Sequence, residues 1–99
     1  MTKLELRYFE GCPNWKIADE RLRQAIRAED VDCAITYTKV ETLEDAQRLR
    51  FIGSPSILIN GTDPFRTENA QPGLACRIFN TENGPDGAPS ITQLRALLS

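Results

Sequence analysis

The N-terminal segment alternates between apolar and charged residues. Over residues 3–9, every second position is apolar and charged side chains lie between, in the order Leu4, Glu5, Leu6, Arg7 and Tyr8. Side chains at every second position of a β-strand point to the same face of a sheet. The pattern therefore predicts a strand with one buried face, which ends before Gly11.

The hydrophobic period changes after this strand. Apolar residues now recur mostly at steps of three and four positions, at Trp15, Ala18, Leu22, Ala25 and Ile26. This spacing predicts one face of a helix that ends near residues 28–29. Pro13 suits the first helical position, where its missing N–H is harmless. Cys12 would then lie at or beside the N-cap of this helix.

The remaining pattern predicts five further elements and one loop. They are a strand over residues 33–38, a short helix with a capping box at Thr42 and a stop at Gly53, strands over 56–59 and 74–79, and a helix after a capping box at Ser90. Residues 62–73 are polar, contain two prolines and predict a loop. The element order is β-α-β-α-β-β-α, which indicates an α/β fold.

The predicted connections set the strand directions. A helix separates the first two strands, which favours a right-handed parallel crossover. A turn and a loop join the last two strands, which favours an antiparallel pair. The length of 99 residues allows one hydrophobic core, so residues 1–99 are expected to form a single domain.

Composition excludes several classes of partner. The net charge is -2 with mixed signs, and no basic stripe or polybasic patch indicates nucleic acid or an anionic membrane. No apolar run approaches the roughly 20 residues of a membrane span. Charged residues near the N-terminus stand where a signal peptide would be apolar, so a cytoplasmic location is expected.

The inventory of reactive side chains is short. The chain has three cysteines and no histidine, which excludes Cys-His and Ser-His catalytic pairs. The cysteines are widely spaced and match no zinc pattern, so no metal site is expected. Cys12 has the most distinctive setting, because a helix N-terminus favours thiolate over thiol. Lys16 would add to that effect and Glu10 would oppose it. The opposing interpretation is that Cys12 belongs to an inert, tight junction.

Two motifs resemble the thioredoxin-like family, in particular its small bacterial thioredoxin- and glutaredoxin-like members. One is the first strand followed by Gly11-Cys12-Pro13-Asn14-Trp15, and the other is Ile52-Gly53-Ser54-Pro55-Ser56-Ile57. The resemblance implies a four-stranded mixed sheet in the order 2-1-3-4 with three helices. It also implies a cis bond at Pro55, which would lie beside Cys12. Ser54 would then present its backbone to an extended peptide or to glutathione.

The chain departs from the family at one position. Trp15 stands where a redox-active member has the second cysteine of Cys-x-x-Cys. The resemblance therefore implies a single-cysteine site, as in a monothiol oxidoreductase, or a member that has lost redox activity. Cys12 is the predicted catalytic residue, and the predicted substrate-binding residues are Pro13, Trp15, Ser54 and Pro55. Trp15 could instead be a core or pocket-wall aromatic residue.

A second thiol is not expected near Cys12. In the order 2-1-3-4, the first and fourth strands lie roughly 10 Å apart, whereas a disulfide needs Cα atoms within about 7 Å. Cys76 in the fourth strand would be too far away, and Cys33 would lie at the opposite end of the sheet. Each shares a face with apolar neighbours, so both are expected to act as small hydrophobic residues. Arg77 and the long loop beside Cys76 make this interpretation weaker there.

Three functional hypotheses follow. The first is thiol–disulfide exchange through Cys12 alone, with glutathione or an unidentified thiol protein as partner and no bound cofactor. The second is a non-enzymatic binding module that uses the groove beside Pro55 and the loop at residues 62–73. The third is a soft-metal or metalloid binder, which would need at least two converging thiols.

Overall fold

The alternating N-terminal segment forms the central strand of a sheet. In the computed structural model, which describes residues 2–67 and 70–99, this strand is β1 (Thr2–Tyr8). It pairs in parallel with β2 (Cys33–Lys39) and antiparallel with β3 (Ser56–Ile59). The sheet order is therefore β2-β1-β3. The parallel crossover between the first two strands is confirmed.

The three predicted helices are present at the predicted places. They are α1 (Asn14–Glu29), α2 (Leu43–Leu49) and α3 (Ile91–Leu98). The side chain of Thr42 accepts a hydrogen bond at the start of α2, and a complete capping box at Ser90 starts α3. Helix α2 ends at Leu49, and its C-cap is Arg50, whose φ is 55°, so Gly53 is not the stop that was expected. Among the described residues, no helix has the length and apolarity needed to cross a bilayer.

The predicted four-stranded sheet is wrong. The main sheet of the described chain has three strands, and a separate two-stranded sheet follows, formed by β4 (Phe79–Thr81) and β5 (Gly84–Asp86). Residues 74–78 do not form a fourth strand, although their side chains alternate as a strand's would. Residues 75–77 pass beside Gly53 and Ser54 instead, and from Phe79 onward the chain pairs with a segment only a few positions further on, whose short loop costs little entropy to close.

One face of the main sheet carries the larger hydrophobic core. Buried side chains of β1, β3, α1 and α3 meet there, including Leu6, Leu22, Ile57 and Leu94. A smaller cluster of Val40, Ala46 and Phe51 lies around α2. Helix α2 is therefore joined to the rest of the chain by a second, separate apolar contact.

The opposite face of the sheet is polar. Glu5 accepts hydrogen bonds from the guanidinium of Arg7 (2.9 Å) and from the hydroxyl of Thr38 (2.7 Å). Burial raises the pKa of Glu5, but these two hydrogen bonds and the positive charge of Arg7 together outweigh it, and the net effect lowers that pKa. Arg7 also donates to the carbonyl of Leu49 at the end of α2 (2.8 Å).

Residues 74–77 approach the main sheet beside Gly53. The φ of Gly53 is 142°, which side chains rarely adopt. A Cβ at this position would lie 3.2 Å from the Cβ of Arg77 and 3.3 Å from the carbonyl oxygen of Ala75. Gly53 is therefore required both by its backbone conformation and by the close passage of residues 75–77.

We expect Gly53→Ala to lower the free energy of unfolding by about 1 kcal/mol or more, because it forces a side chain into a conformation that only glycine tolerates. Gly73→Ala is the matched control, since nothing lies within 4 Å of a Cβ there. Urea denaturation of both variants measures the difference. Equal stabilities for the two variants would contradict this account of Gly53.

Candidate functional site

The junction between β1 and α1 buries Cys12. The chain turns after β1, and the N–H of Cys12 donates to the carbonyl of Phe9 (3.0 Å). Pro13 is the N-cap of α1, with φ -72° and ψ -8°. Cys12 therefore precedes the N-cap, close to its predicted place. Its relative exposure is 0%, so it differs from the exposed thiol that the sequence suggested.

Cys12 forms a disulfide with Cys76. The two Cα atoms are 5.7 Å apart, within the usual range for this bond. The prediction that neither Cys33 nor Cys76 could reach Cys12 was therefore wrong for Cys76. It assumed a fourth strand, two positions away from β1 in the sheet. Cys76 instead lies beside residue 54, immediately before β3, and β3 is the direct neighbour of β1.

Backbone hydrogen bonds hold Cys76 in this position. The N–H of Ser54 donates to the carbonyl of Ala75 (2.8 Å), and the N–H of Arg77 donates to the carbonyl of Ser54 (2.9 Å). These two bonds form a parallel bridge between Ser54 and Cys76. The backbone groups that the resemblance assigns to an external peptide or glutathione are thus bound by the chain's own residues 75–77.

The peptide bond between Ser54 and Pro55 is cis, as the resemblance implied. Both residues are buried, and the Sγ atom of Cys12 lies 3.7 Å from the carbonyl oxygen of Ser54. Pro55 is therefore close to Cys12, as expected. Within the described part of the chain, the buried hydroxyl of Ser54 has no hydrogen-bond partner.

A buried ion pair fixes the residue after Cys76. The guanidinium of Arg77 lies 2.7 Å from the carboxylate of Asp63, and each side chain is only 8% exposed. Arg77 also donates to the carbonyl of Phe65 and lies over the ring of Phe79, 4.7 Å from its centroid. Asp63 in turn accepts from the N–H of Phe65 (2.9 Å). The loop that follows β3 is thereby tied to the disulfide segment.

The two cysteines of the disulfide differ sharply in exposure. Cys12 is completely buried, whereas Cys76 is exposed. A thiol in solution therefore meets the disulfide from the side of Cys76. This difference in exposure decides which of the two cysteines a partner thiol would attack in an exchange reaction at the site.

The other predicted site residues surround the junction in different ways. Trp15 stacks on Tyr8 with ring centroids 4.3 Å apart, and it packs against the main core. This position agrees with a core or pocket-wall aromatic residue. Pro13 is exposed at the N-cap. Contact of Pro13, Trp15, Ser54 or Pro55 with a substrate stays a prediction.

The charges expected to act on Cys12 have other partners. Glu10 forms an ion pair with Lys39 (2.7 Å), and the hydrogen bond from Lys39 lowers the pKa of Glu10. The Nζ atom of Lys16 lies over the ring of Trp15, 5.8 Å from its centroid. The local setting of Cys12 is therefore dominated by the start of α1 and by the Ser54 carbonyl.

Cys33 is a free, half-buried thiol at the first position of β2. It pairs with Thr2 at the start of β1, whereas Cys12 follows the end of that strand. The expected separation of these two cysteines is confirmed. Burial raises the pKa of the Cys33 thiol, and the negative charge of Asp32 raises it further.

The sequence interpretation missed the role of Arg77 and Asp63. Two signals were available: a cysteine next to an arginine, and a long polar loop that contains an aspartate. The alternation of residues 74–79 concealed them, because it suggested a regular strand. An alternating pattern predicts which way the side chains of a segment point, but it does not predict which other segment of the chain lies beside it.

Comparisons with protein-family models, with curated proteins and with solved structures find no match to this chain. Among residues 2–67 and 70–99, no group of three or more cysteine, aspartate and glutamate side chains is placed to hold a metal ion. The function is therefore argued from the geometry of the Cys12–Cys76 pair.

We expect Cys76→Ser to lower the free energy of unfolding by roughly 2–5 kcal/mol, because the disulfide closes a long loop and restricts the unfolded chain. The two cysteines are 64 positions apart. Cys33→Ser is the control, since it removes a thiol outside the disulfide. Urea denaturation with and without reductant makes the measurement. If the oxidised wild-type protein and Cys76→Ser unfold at the same urea concentration, the bond contributes nothing.

A second prediction concerns Cys33, the free thiol of the oxidised protein. Its raised pKa should shift its alkylation by iodoacetamide to a pH above the value of about 8.5 for ordinary cysteine. Asp32→Asn removes the negative charge that raises the pKa of Cys33, so it should lower the midpoint pH of alkylation. The alkylation rate, followed by mass spectrometry against pH, gives the result. A wild-type midpoint at or below that of free cysteine would refute the assignment.

Proposed function

We propose that this chain is a thiol–disulfide exchange protein whose working states are the Cys12–Cys76 disulfide and the corresponding dithiol. The observation that carries the proposal is the pairing of a fully buried cysteine at a helix start with an exposed cysteine. An exchange reaction needs one sulfur that a partner can reach and a second that can leave and return. The two cysteines meet these two needs separately.

The first step takes place at Cys76. A partner thiolate, from glutathione or from a protein, attacks the Sγ of Cys76, and a new S–S bond forms between them. The Cys12–Cys76 bond breaks, and its electron pair leaves on the sulfur of Cys12 as a thiolate. A second partner thiolate then attacks the partner sulfur of the mixed disulfide and releases Cys76 as a thiolate. Two partner thiols have been oxidised to a disulfide, and the protein disulfide has been reduced.

The position of Cys12 suits the leaving sulfur. It lies immediately before the N-cap of α1, and the first turn of a helix carries partial positive charge and free N–H groups. A sulfur that is stabilised as a thiolate leaves faster. The Ser54 carbonyl, 3.7 Å away, acts in the opposite sense, because it can accept a hydrogen bond from the protonated thiol.

This mechanism revises the role predicted for Cys12. The sequence suggested that Cys12 attacks partners alone and that an external thiol must release it. In the proposed mechanism Cys76 meets the partner, and Cys12 is the leaving sulfur when the disulfide is reduced and the internal resolving thiol in the reverse reaction. Trp15, which occupies the usual second-cysteine position, is then not needed for resolution. The relationship to the thioredoxin-like family also remains a proposal, supported by the place of the Ser54-Pro55 segment beside Cys12.

A second candidate function is favoured by the same pair of sulfurs. The soft-metal hypothesis required two converging thiols, and Cys12 and Cys76 converge. The backbone hydrogen bonds of Ser54 to Ala75 and Arg77 and the Arg77–Asp63 ion pair do not involve the sulfurs, so they can keep the reduced thiols together. Two thiolates of this kind suit a soft ion such as Cu(I).

The binding-module hypothesis is less well supported, because residues 75–77 already lie along Ser54.

Equilibration in glutathione redox buffers tests the proposed exchange. We expect the Cys12–Cys76 disulfide to be reduced and reformed reversibly, with a potential above about −300 mV, because structural disulfides usually lie below that value. Quantitative thiol labelling and mass spectrometry measure the oxidised fraction. A potential well below this limit would identify a structural bond and contradict the proposal.

Single-cysteine variants test which sulfur meets the partner. In a Cys33→Ser background, Cys12→Ser leaves Cys76 free, and Cys76→Ser leaves Cys12 free. Oxidised glutathione should form a mixed disulfide rapidly with the first variant and slowly with the second, because Cys76 is exposed and Cys12 is buried. Faster reaction of Cys12 would reverse the proposed order of attack.

A further inference from the structure

A cavity of about 390 Å³ lies on the polar face of the sheet, away from the main core. Its walls come from β1, β3, the end of α2 and the beginning of the loop after β3. The lining residues that matter for its chemistry are three arginines, one aspartate and two apolar residues: Arg7, Arg50, Arg66, Asp63, Phe51 and Leu58. The volume lies at the lower end of the range of about 300–1,000 Å³ for small-molecule sites.

The cavity has an excess of positive charge. Three guanidinium groups line it, against the single carboxylate of Asp63. Asp63 is paired with Arg77 outside the lining, at 2.7 Å, and Arg7 is paired with Glu5, at 2.9 Å, so Arg50 and Arg66 supply the excess charge. The whole chain has a net charge of -2, so this local charge is opposite in sign to that of the protein. A small anion would therefore find a favourable potential in this cavity.

Arg7 is held in place at the back of the cavity. Its Nε and Nη2 atoms donate to the carboxylate of Glu5, and Nη1 donates to the carbonyl of Leu49. A guanidinium carries five N–H donors, so these contacts leave donors available. A side chain that is fixed before binding loses little entropy when a ligand arrives. Arg7 is thus a preorganised donor.

The other two arginines are exposed and lie close together. The guanidinium of Arg66 donates to the backbone carbonyl of Arg50 (3.2 Å). Within the described ranges, the guanidinium of Arg50 makes no hydrogen bond or ion pair. Both groups can therefore turn toward a ligand in the cavity. Their planar forks match the oxygen pairs of carboxylate and phosphate groups.

The apolar walls increase the effect of these charges. Phe51 is 1% exposed and Leu58 is 8% exposed, so part of the cavity wall consists of buried apolar side chains. Charge-assisted hydrogen bonds are stronger where water is partly excluded. The combination of a few cationic donors with an apolar wall is typical of small-molecule sites.

We propose that this cavity binds a small molecule through an oxyanion group, a phosphate or a carboxylate, held by Arg7, Arg50 and Arg66. The site is separate from the Cys12–Cys76 pair, and neither cysteine lines the cavity. Binding there does not depend on thiol exchange, so the two proposals stand or fall independently.

The test is a titration of the ¹⁵N-labelled full chain with inorganic phosphate and, separately, with citrate, at constant ionic strength maintained with sodium chloride. We expect saturable shifts of amide and arginine side-chain signals around the cavity. Tighter binding of phosphate indicates a phosphorylated ligand, and tighter binding of citrate indicates a carboxylate ligand. Arg50→Gln and Arg66→Gln should each raise the dissociation constant about tenfold, since each removes charge-assisted hydrogen bonds.

Arg27→Gln is the matched control, because it removes the same charge from the exposed last turn of α1, outside the cavity. It should leave the dissociation constant unchanged. Three results would overturn the proposal: no saturable shifts with either anion, equal weakening by Arg27→Gln, or the same shifts with sodium chloride alone. Arg50 and Arg66 are exposed, so their variants should fold, and the spectra report this directly.

Discussion

The buried ion pair between Arg77 and Asp63 connects every part of the proposed site. Two charges with 8% exposure each are costly to remove from water, and their attraction offsets that cost only when further hydrogen bonds satisfy them. The carbonyl of Phe65 accepts from Arg77, and the N–H of Phe65 donates to Asp63. The pair therefore joins the loop after β3 to the segment that carries Cys76. It also neutralises Asp63, so that carboxylate is not a free counter-charge for Arg50 and Arg66 in the neighbouring cavity.

The two faces of the main sheet differ in character, because one is apolar and the other is polar. Its apolar face holds α1 and α3 against the central strand, and this packing places Cys12 at the start of a well-anchored helix. Its polar face is covered only in part by the short helix α2, which leaves room for the arginine-lined cavity. The disulfide lies at the junction of β1 with α1, where residues 75–77 pass along Ser54. Thiol exchange and anion binding are thus assigned to separate surfaces.

The burial of Cys12 changes the chemical meaning of its position. A helix start can activate a thiol toward partners only if the partners can reach it. Here the exposed residue is Cys76, so in the proposed mechanism the helix start would act on the sulfur that leaves. The chain's own residues 75–77 occupy the backbone groups of Ser54, as an external peptide would in the resemblance. The site therefore contains residues 75–77 in the place of a bound peptide, and it contains a second cysteine, Cys76, next to Cys12.

The sequence by itself determined the local structure: the alternation of β1, the period of α1, the Thr42 cap of α2, the capping box of α3, and the place of Cys12 just before a helix. These features depend on neighbours within a few positions, which the sequence displays directly. Only the tertiary structure decided that Cys76 lies against Cys12 and that residues 74–78 leave the sheet. Alternating side chains are compatible with several neighbours, and the choice depended on Gly53, Asp63 and Arg77. Gly53 and Asp63 contact Arg77 across 24 and 14 positions of the chain, distances over which residue spacing carries no signal.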